Sequence, residues 1–234
     1  MVEVLSRIDR SLCRPCASTV AEVIVITAAP HLPIGYAFSR WAARIGFLAM
    51  LGTGVLDATA QHAHFDILKG DRVVGKIVAS KTATGERTIY VMSSYSEFDL
   101  VWKRVVRSVM TTEYLHGELR SCNNHMHMND ALRDSSSMRY VNKTHACYVH
   151  PGQHFVHEGS VKWTTARMYY EEPVGQKSIF VESVLKHCPL VRTGNGTYSL
   201  TMPEDKVNHY IYKDGRLHEI RVDRTFFELV FRRT

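Results

Sequence analysis

Residues 160–174 have the sequence Ser-Val-Lys-Trp-Thr-Thr-Ala-Arg-Met-Tyr-Tyr-Glu-Glu-Pro-Val, the one stretch after residue 60 with helical rather than strand periodicity. Within it, Trp163, Arg167 and Tyr170 recur at i, i+4 and i+7, which places them on one face of a helix. The segments on both sides alternate with the period of a strand. The stretch therefore predicts one short helix, at about residues 161–170, packed within a mainly β protein.

The two ends of this predicted helix carry the polar residues of interest. Ser160 is a suitable N-cap, and Pro173 disfavours helical backbone at the residue before it. The helix then ends on Glu171 and Glu172, and negative charge at a helix C-terminus is unfavourable. We expect these carboxylates to accept hydrogen bonds from Arg167, from turn amides or from neighbouring strands, and so to lock the helix to the sheet. A catalytic role for the pair is the alternative.

From residue 62 onward the chain is a series of strands joined by hairpin turns. Turn dipeptides occur at Gly70–Asp71, His116–Gly117 and Asp214–Gly215, and the last is the strongest hairpin signal in the chain. The polar run of residues 134–137 predicts a further exposed turn. We count about ten or eleven strands, and an antiparallel meander of that length curls into a barrel or half-barrel. The short helix is expected on the concave side.

The N-terminal part has the features of an export signal, but they begin some way into the chain. Arg44 precedes an apolar run at residues 45–56, and small residues follow at Ala58 and Ala60. We predict a signal peptide at 44–60, an extension at 1–43 that is absent from the mature protein, and a single β domain at 61–234. An N-terminal membrane anchor is the alternative. The expected location is the periplasm or the outside of a bacterial cell, with no integral membrane segment after processing.

Composition and motifs exclude several classes of function. The net charge of +6 is spread along the chain, which is not the clustered pattern of a nucleic-acid-binding protein. Histidine pairs such as His62/His64 and His125/His127 could each chelate one ion from one face of a strand, but we favour surface positions in turns and strand ends, and so predict no metal site and no cofactor. The chain also lacks a G-x-S-x-G elbow, an H-E-x-x-H motif and a glycine-rich phosphate loop. Export would permit one disulfide among Cys122, Cys147 and Cys188, and the sequence leaves its existence open.

Several motifs resemble those of a known family. They are Phe65-Asp-Ile with Val74-Gly75, the Met168-Tyr-Tyr-Glu-Glu-Pro-Val174 stretch, and a closing Tyr210-x-Tyr212-x-Asp-Gly215 hairpin followed by Ile220-x-Val222. Together they resemble an uncharacterised family of exported bacterial β-sheet proteins, a domain of unknown function, over roughly residues 64–233. The architecture is also similar to curled-sheet periplasmic folds that carry lipoprotein acyl chains. The resemblance implies a β fold and export, and it implies no activity.

The function that these observations favour is binding. We expect the concave face to bind an apolar or amphipathic ligand, such as a lipid or an apolar small molecule, or else a protein of the cell envelope. The candidate ligand-binding residues are Trp163, Arg167, Tyr169 and Tyr170. For the aromatic residues of this set we favour a structural role, in which they pack in the core beneath the sheet, over a role in ligand binding. The alternatives are a hydrolase or isomerase that uses Glu171 or Glu172 with a nearby His, and a purely structural envelope module.

The predicted signal peptide has a direct test. Cleavage after Ala60 should yield a mature protein that begins at Gln61, because Ala58 and Ala60 occupy the small-residue positions of a signal-peptidase site. N-terminal sequencing of the protein recovered from its own source is the measurement. A mature chain that begins at Met1 or Val2 would contradict the prediction.

Overall fold

An antiparallel sheet of fourteen strands makes up the fold in the part of the chain that the structure describes. The structure is a computed structural model, and it describes residues 58–99, 102–224 and 227–234. The elements in chain order are β1 (Ala58–Lys69), β2 (Arg72–Thr84), β3 (Arg87–Asp99), β4 (Lys103–Leu115), β5 (Glu118–Met128), β6 (Ala131–Val141), β7 (Thr144–Val149), β8 (Gln153–His157), α1 (Thr165–Met168), β9 (Ser178–Val181), β10 (Lys186–Gly194), β11 (Thr197–Thr201), a 3₁₀ turn (Pro203–Asp205), β12 (Val207–Lys213), β13 (Arg216–Arg224) and β14 (Phe227–Arg233).

The strand order confirms the predicted antiparallel meander. It runs β8-β7-β6-β5-β4-β3-β2-β1-β14-β13-β12-β11-β10-β9. Each strand pairs with its neighbours in sequence, except that β8 and β9 are the two ends of the sheet and β1 pairs with β14. That pairing sets Phe65 opposite Arg233 and joins the two halves of the meander. The hairpin turns at Gly70–Asp71, His116–Gly117 and Asp214–Gly215 lie where the sequence predicts them. The predicted number of strands, ten or eleven, was too low.

The predicted turn at residues 134–137 is wrong. These residues lie inside β6, and the turn falls earlier, at Asn129 and Asp130, whose φ angles are 50° and 65°. Ser136 points inward, is fully buried, and donates a hydrogen bond of 2.6 Å to the carbonyl of Glu182. Residues 134–137 have the composition of a turn, but pairing with the strands on both sides and the bond from Ser136 to Glu182 hold them in a strand.

The two ends of the sheet meet through side chains. In the described ranges no backbone pairing joins β8 to β9. Phe180 on β9 is fully buried, and its ring centroid lies 5.3 Å from that of His157 on β8. The ring of His187 on β10 is also 5.3 Å from Phe180 and 5.8 Å from His157. We call this cluster of three rings the seam. The sheet is thus a curled, barrel-like layer rather than a closed barrel.

The helix is shorter than the sequence predicts. Only Thr165–Met168 is helical within the predicted range, and Thr164, the residue before it, is extended. The carbonyl of Val161 accepts a hydrogen bond from the Leu119 amide at 2.9 Å, and the carbonyl of Trp163 accepts one from the Phe180 amide at 3.0 Å. These bonds to neighbouring strands compete with helix formation over residues 161–164. We call the segment of residues 161–172, with α1 at its centre, the plug.

The N-terminal predictions lie almost entirely outside the described residues, which begin at Ala58. Strand β1 starts there, and Ala58 pairs with Thr84 of β2. Cleavage after Ala60 would therefore remove the first three residues of an exposed strand end. Within the described residues, no helix is both long enough and apolar enough to cross a bilayer.

Candidate functional site

A cavity of about 1110 Å³ lies on the concave side of the sheet. Tyr169 of the plug and Val184 of the β9–β10 turn form its floor. Its mouth is at the strand ends opposite the plug, near Phe98 at the end of β3 and Val207 at the start of β12. Apolar side chains from many strands line the walls: Ile67, Ile77, Met92, Val106, Met126, Met128, Met202, Val222, Leu229 and Phe231.

Neutral polar side chains line another part of the wall. The hydroxyls of Ser94 and Ser108 are 2.8 Å apart on the neighbouring strands β3 and β4. Ser96 and Asn124 are both buried, and both line the same cavity. The cavity therefore offers hydroxyl and amide groups as well as apolar surface.

Among the described residues, five charged side chains line the cavity: Asp134, Glu204, Asp205, Lys206 and Asp223. All except Asp134, which pairs with Met126 of β5, come from strand ends and loops at the mouth. Glu204 and Lys206 form an ion pair of 2.6 Å, and Nε2 of His209 lies 3.3 Å from a carboxylate oxygen of Asp223. Acidic groups therefore outnumber basic groups where a ligand would enter.

Glu182, which the sequence analysis did not select, anchors the floor of this cavity. It is fully buried in the β9–β10 turn, and its carboxylate accepts hydrogen bonds from the backbone amides of Thr165 (3.1 Å) and Ala166 (3.0 Å). The hydroxyls of Thr165 and Thr112 also donate to it, the latter at 3.3 Å. The carboxylate thus caps the first turn of α1, the role that the sequence assigned to Ser160.

Ser160 has a different contact, so the predicted cap was wrong. Its hydroxyl donates a hydrogen bond of 2.9 Å to Glu118, and the helix begins after Thr164, which makes no side-chain cap. The sequence signal for Glu182 is a single glutamate within the apolar run of residues 179–185. Such a residue is buried only when it has partners, but the partners lie elsewhere in the chain.

Glu171 holds the other end of the plug to the sheet. Its carboxylate is 2.9 Å from the Lys81 ammonium on β2 and accepts a hydrogen bond of 2.7 Å from Nε of Arg167. Burial by itself favours the neutral acid, but the hydrogen bonds from Lys81 and Arg167 outweigh it, so the pKa of Glu171 is lowered. The contact with Arg167 is the one that the sequence predicts, and Lys81 adds a bond from a neighbouring strand.

Glu172 contacts a different part of the sheet. It accepts a hydrogen bond of 2.8 Å from the hydroxyl of Tyr198 on β11. Neither Glu172 nor Glu171 lines the cavity. The contacts of both carboxylates support the structural interpretation of the pair, in which they fasten the plug between the two halves of the meander.

The four candidate ligand-binding residues do not gather at one place. Tyr169 lines the cavity and packs edge-on against Phe65, with ring centroids 5.4 Å apart. The Arg167 guanidinium lies over the Trp163 ring at 4.2 Å, away from the cavity lining. Tyr170 packs against Tyr90 at 5.7 Å, and burial raises its pKa to about 12. The structure therefore places Tyr169 at the cavity and the other three in the packing around the plug.

Comparison with known proteins identifies the family of this chain. The family model described as "Domain of unknown function (DUF6134)" matches residues 65–234, which include every strand from β2 to β14, the plug and the cavity. The chain belongs to this family. The match confirms the predicted resemblance to a domain of unknown function, and its bounds are within one residue of the predicted 64–233.

The chain is similar to solved structures, one of which is the crystal structure of a β-barrel-like protein of the domain of unknown function DUF1849 from Brucella abortus. The alignment covers 74% of this chain and 95% of that chain, with 11% identity and a TM-score of 0.46. A search of curated proteins found no match.

The three cysteines of the DUF6134 domain are buried free thiols in this structure. Cys122 on β5 and Cys147 on β7 both pair with Met138 on the strand between them. Two strand spacings separate their Cα atoms by about 9–10 Å, beyond the reach of a disulfide. A bond between Cys122 and Cys147 would therefore require these strands to separate.

Replacing Glu182 by Gln is expected to destabilise the fold. The substitution keeps the shape of the side chain but removes the charge that accepts the two backbone amides of α1. Hydrogen bonds to a charged group contribute about 1.5 to 3 kcal/mol, so the free energy of unfolding should fall by an amount in that range. Urea denaturation is the measurement, with the half-buried Glu172→Gln as the matched control and a smaller loss expected there. Equal stability of Glu182→Gln and the unmodified protein would contradict the role of Glu182 as an anchor.

Replacing Glu171 by Gln is expected to weaken the dependence of stability on acid pH. The pKa of Glu171 in the folded protein lies below its ordinary value of 4.5, so its ionised form stabilises the fold above about pH 4.5. That contribution is lost as the pH falls through the folded-state pKa. Melting temperatures between pH 7 and pH 3 should therefore fall less for Glu171→Gln than for the unmodified protein. The exposed Glu158→Gln is the control, and parallel curves for all three proteins would count against the prediction.

Proposed function

We propose that the domain binds an apolar or amphipathic ligand inside the curled sheet. The observation that carries this proposal is the cavity of about 1110 Å³, since ligand sites typically have volumes of about 300 to 1,000 Å³ and mostly apolar walls. Filling it removes apolar surface from water, which is favourable in proportion to the area covered. The methionines of the wall, such as Met92 and Met126, have unbranched side chains that adapt to ligands of different shape.

The arrangement of the plug supports the same function. Glu182 and Glu171 hold the plug at both ends, so Tyr169 is presented to the cavity on a fixed support. A fixed floor preserves the cavity when it holds no ligand, and preorganisation of this kind lowers the cost of binding. We propose that this binding takes place in the bacterial cell envelope, on the basis of the signal-peptide pattern at residues 44–60.

Binding can be tested with the neutral fluorescent probe N-phenyl-1-naphthylamine and a matched pair of variants of the full chain. Ser94 lines the cavity, whereas its neighbour Ser93 lies on the exposed face of β3. Ser94→Phe places a ring in the cavity and should weaken probe binding about tenfold or more. Ser93→Phe adds the same ring outside and should leave the affinity unchanged.

Two outcomes would contradict the proposal. One is a failure of the unmodified protein to bind the probe, and the other is an equal loss of affinity in Ser94→Phe and Ser93→Phe. Melting temperatures of both variants show whether a loss reflects unfolding. Native mass spectrometry of the protein purified from its own source, followed by lipid extraction, would then identify the ligand it carries.

A further inference from the structure

The side chain of Asn124 is a buried amide that faces the cavity. It lies on β5, is only 9% exposed, and lines the cavity close to the floor. In cross-strand register it sits beside Met110 of β4 and Ser136 of β6. Within the described ranges its amide makes no hydrogen bond to protein, and its polar atoms stay accessible from the cavity, where a ligand can bond to them.

Ser96 is a second buried polar side chain that lines the cavity, nearer to the mouth. It lies on β3, is 5% exposed, and lines the same cavity. Over the described part of the chain its hydroxyl has no hydrogen-bond partner either. Two buried polar side chains thus face the same space with their hydrogen-bonding groups unused.

Ser94 and Ser108 lie between these two positions, so the four residues form a band, which we call the polar band. Ser96 pairs with Val106, and Val106 pairs with Met128, four residues from Asn124 on β5. With a rise of about 3.4 Å per residue and a strand spacing of about 4.8 Å, Ser96 and Asn124 are roughly 17 Å apart. The polar band therefore follows most of the depth of the cavity.

The polar band is neutral, and the charges near it disfavour an anion. Its members are hydroxyls and one amide, and among the described residues the one charged lining residue level with it is the acidic Asp134, which pairs with Met126 beside Ser108. Towards the mouth, Glu204, Asp205 and Asp223 lie near one lysine, Lys206, which is paired with Glu204. A carboxylate or phosphate placed in the cavity would have no cation at the polar band and would pass a net negative mouth.

Apolar groups line the cavity beside and within the polar band. The side chains of Ile67, Leu229 and Phe231 line it from β1 and β14, on strands that carry no member of the polar band. The strands of the polar band also carry Met92 and Met126. A molecule that has both apolar surface and neutral hydrogen-bonding groups matches this lining.

We infer that the ligand is an uncharged amphiphile that carries hydroxyl, ester or amide groups along one side. These groups bond to Asn124 and Ser96, and the apolar side packs against β1 and β14. The inference rests on the proposed function, because it names the chemical class of the ligand in the same cavity. It excludes fatty-acid anions as preferred ligands.

Three amphiphiles with the same ten-carbon chain test this inference on the full-length protein. Monodecanoylglycerol is neutral and carries an ester and two hydroxyls, decanoate is an anion, and decylammonium is a cation. Displacement of N-phenyl-1-naphthylamine gives their relative affinities. We expect monodecanoylglycerol to bind about tenfold more tightly than decanoate, with decylammonium between them.

A matched pair of variants assigns the preference to the polar band. Asn124→Leu keeps the size of the side chain and removes the amide. It should lower the affinity for monodecanoylglycerol about fivefold, as expected for the loss of one hydrogen bond. Probe binding by the same variant is measured beside it, so that a general loss of binding is distinguished from the loss of one hydrogen bond. Asn123→Leu changes the adjacent residue on the exposed face of β5 and should alter neither affinity. If Asn124→Leu does not fold, Ser96→Ala replaces it, with Ser93→Ala as its control.

The outcomes separate the two proposals. If neither the probe nor any amphiphile binds the unmodified protein, the proposed function fails and the inference fails with it. If the probe binds but decanoate or decylammonium binds most tightly, only the inference is overturned. Equal losses of affinity for monodecanoylglycerol in Asn124→Leu and Asn123→Leu would overturn the inference as well.

Discussion

The buried carboxylate of Glu182 meets the first two backbone amides of α1 inside the curled sheet, and the interior is organised around that contact. An ionised group away from water is costly unless it is paired and hydrogen-bonded. Here Thr112 of β4 and Thr165 of the plug supply the remaining donors, while the carbonyl of Glu182 accepts from Ser136 of β6. A helix of one turn has no stability of its own, so its position depends on these bonds. The floor of the cavity is built on that helix.

The parts of the fold that could be predicted are those that depend on neighbours in sequence. The turns at Gly70–Asp71 and Asp214–Gly215 follow from local backbone preferences, and alternation along the strands identifies the inward face. Ser136 shows the limit of this approach, because residues 134–137 have the composition of a turn but lie in a strand. The bond from Ser136 to Glu182, and pairing with β5 and β7, decide its conformation. No local pattern contains that information.

The site was predicted only in part, for the same reason. Arg167 and Glu171 are one helical turn apart, so their contact follows from the sequence, whereas Lys81, the second partner of Glu171, is 90 residues away. Trp163 was assigned to the same helical face as Tyr170, but residue 163 lies before the helix, and its carbonyl accepts a hydrogen bond from the Phe180 amide. The buried positions of Glu182 and Asn124 depend on the curl of the whole sheet. In the sequence, both are ordinary polar residues.

The seam has a consequence for the shape of the cavity. In a closed barrel, the number of strands and their stagger fix the circumference, because every strand is hydrogen-bonded on both sides. In this domain the rings of His157, Phe180 and His187 span the gap between the sheet's ends, and rings can slide over one another without breaking a backbone hydrogen bond. The plug, however, is hydrogen-bonded to Leu119 of β5 and to Phe180 of β9, so the circumference of the sheet is held at the floor. Only towards the mouth, beyond the plug, can the circumference change without breaking a backbone hydrogen bond.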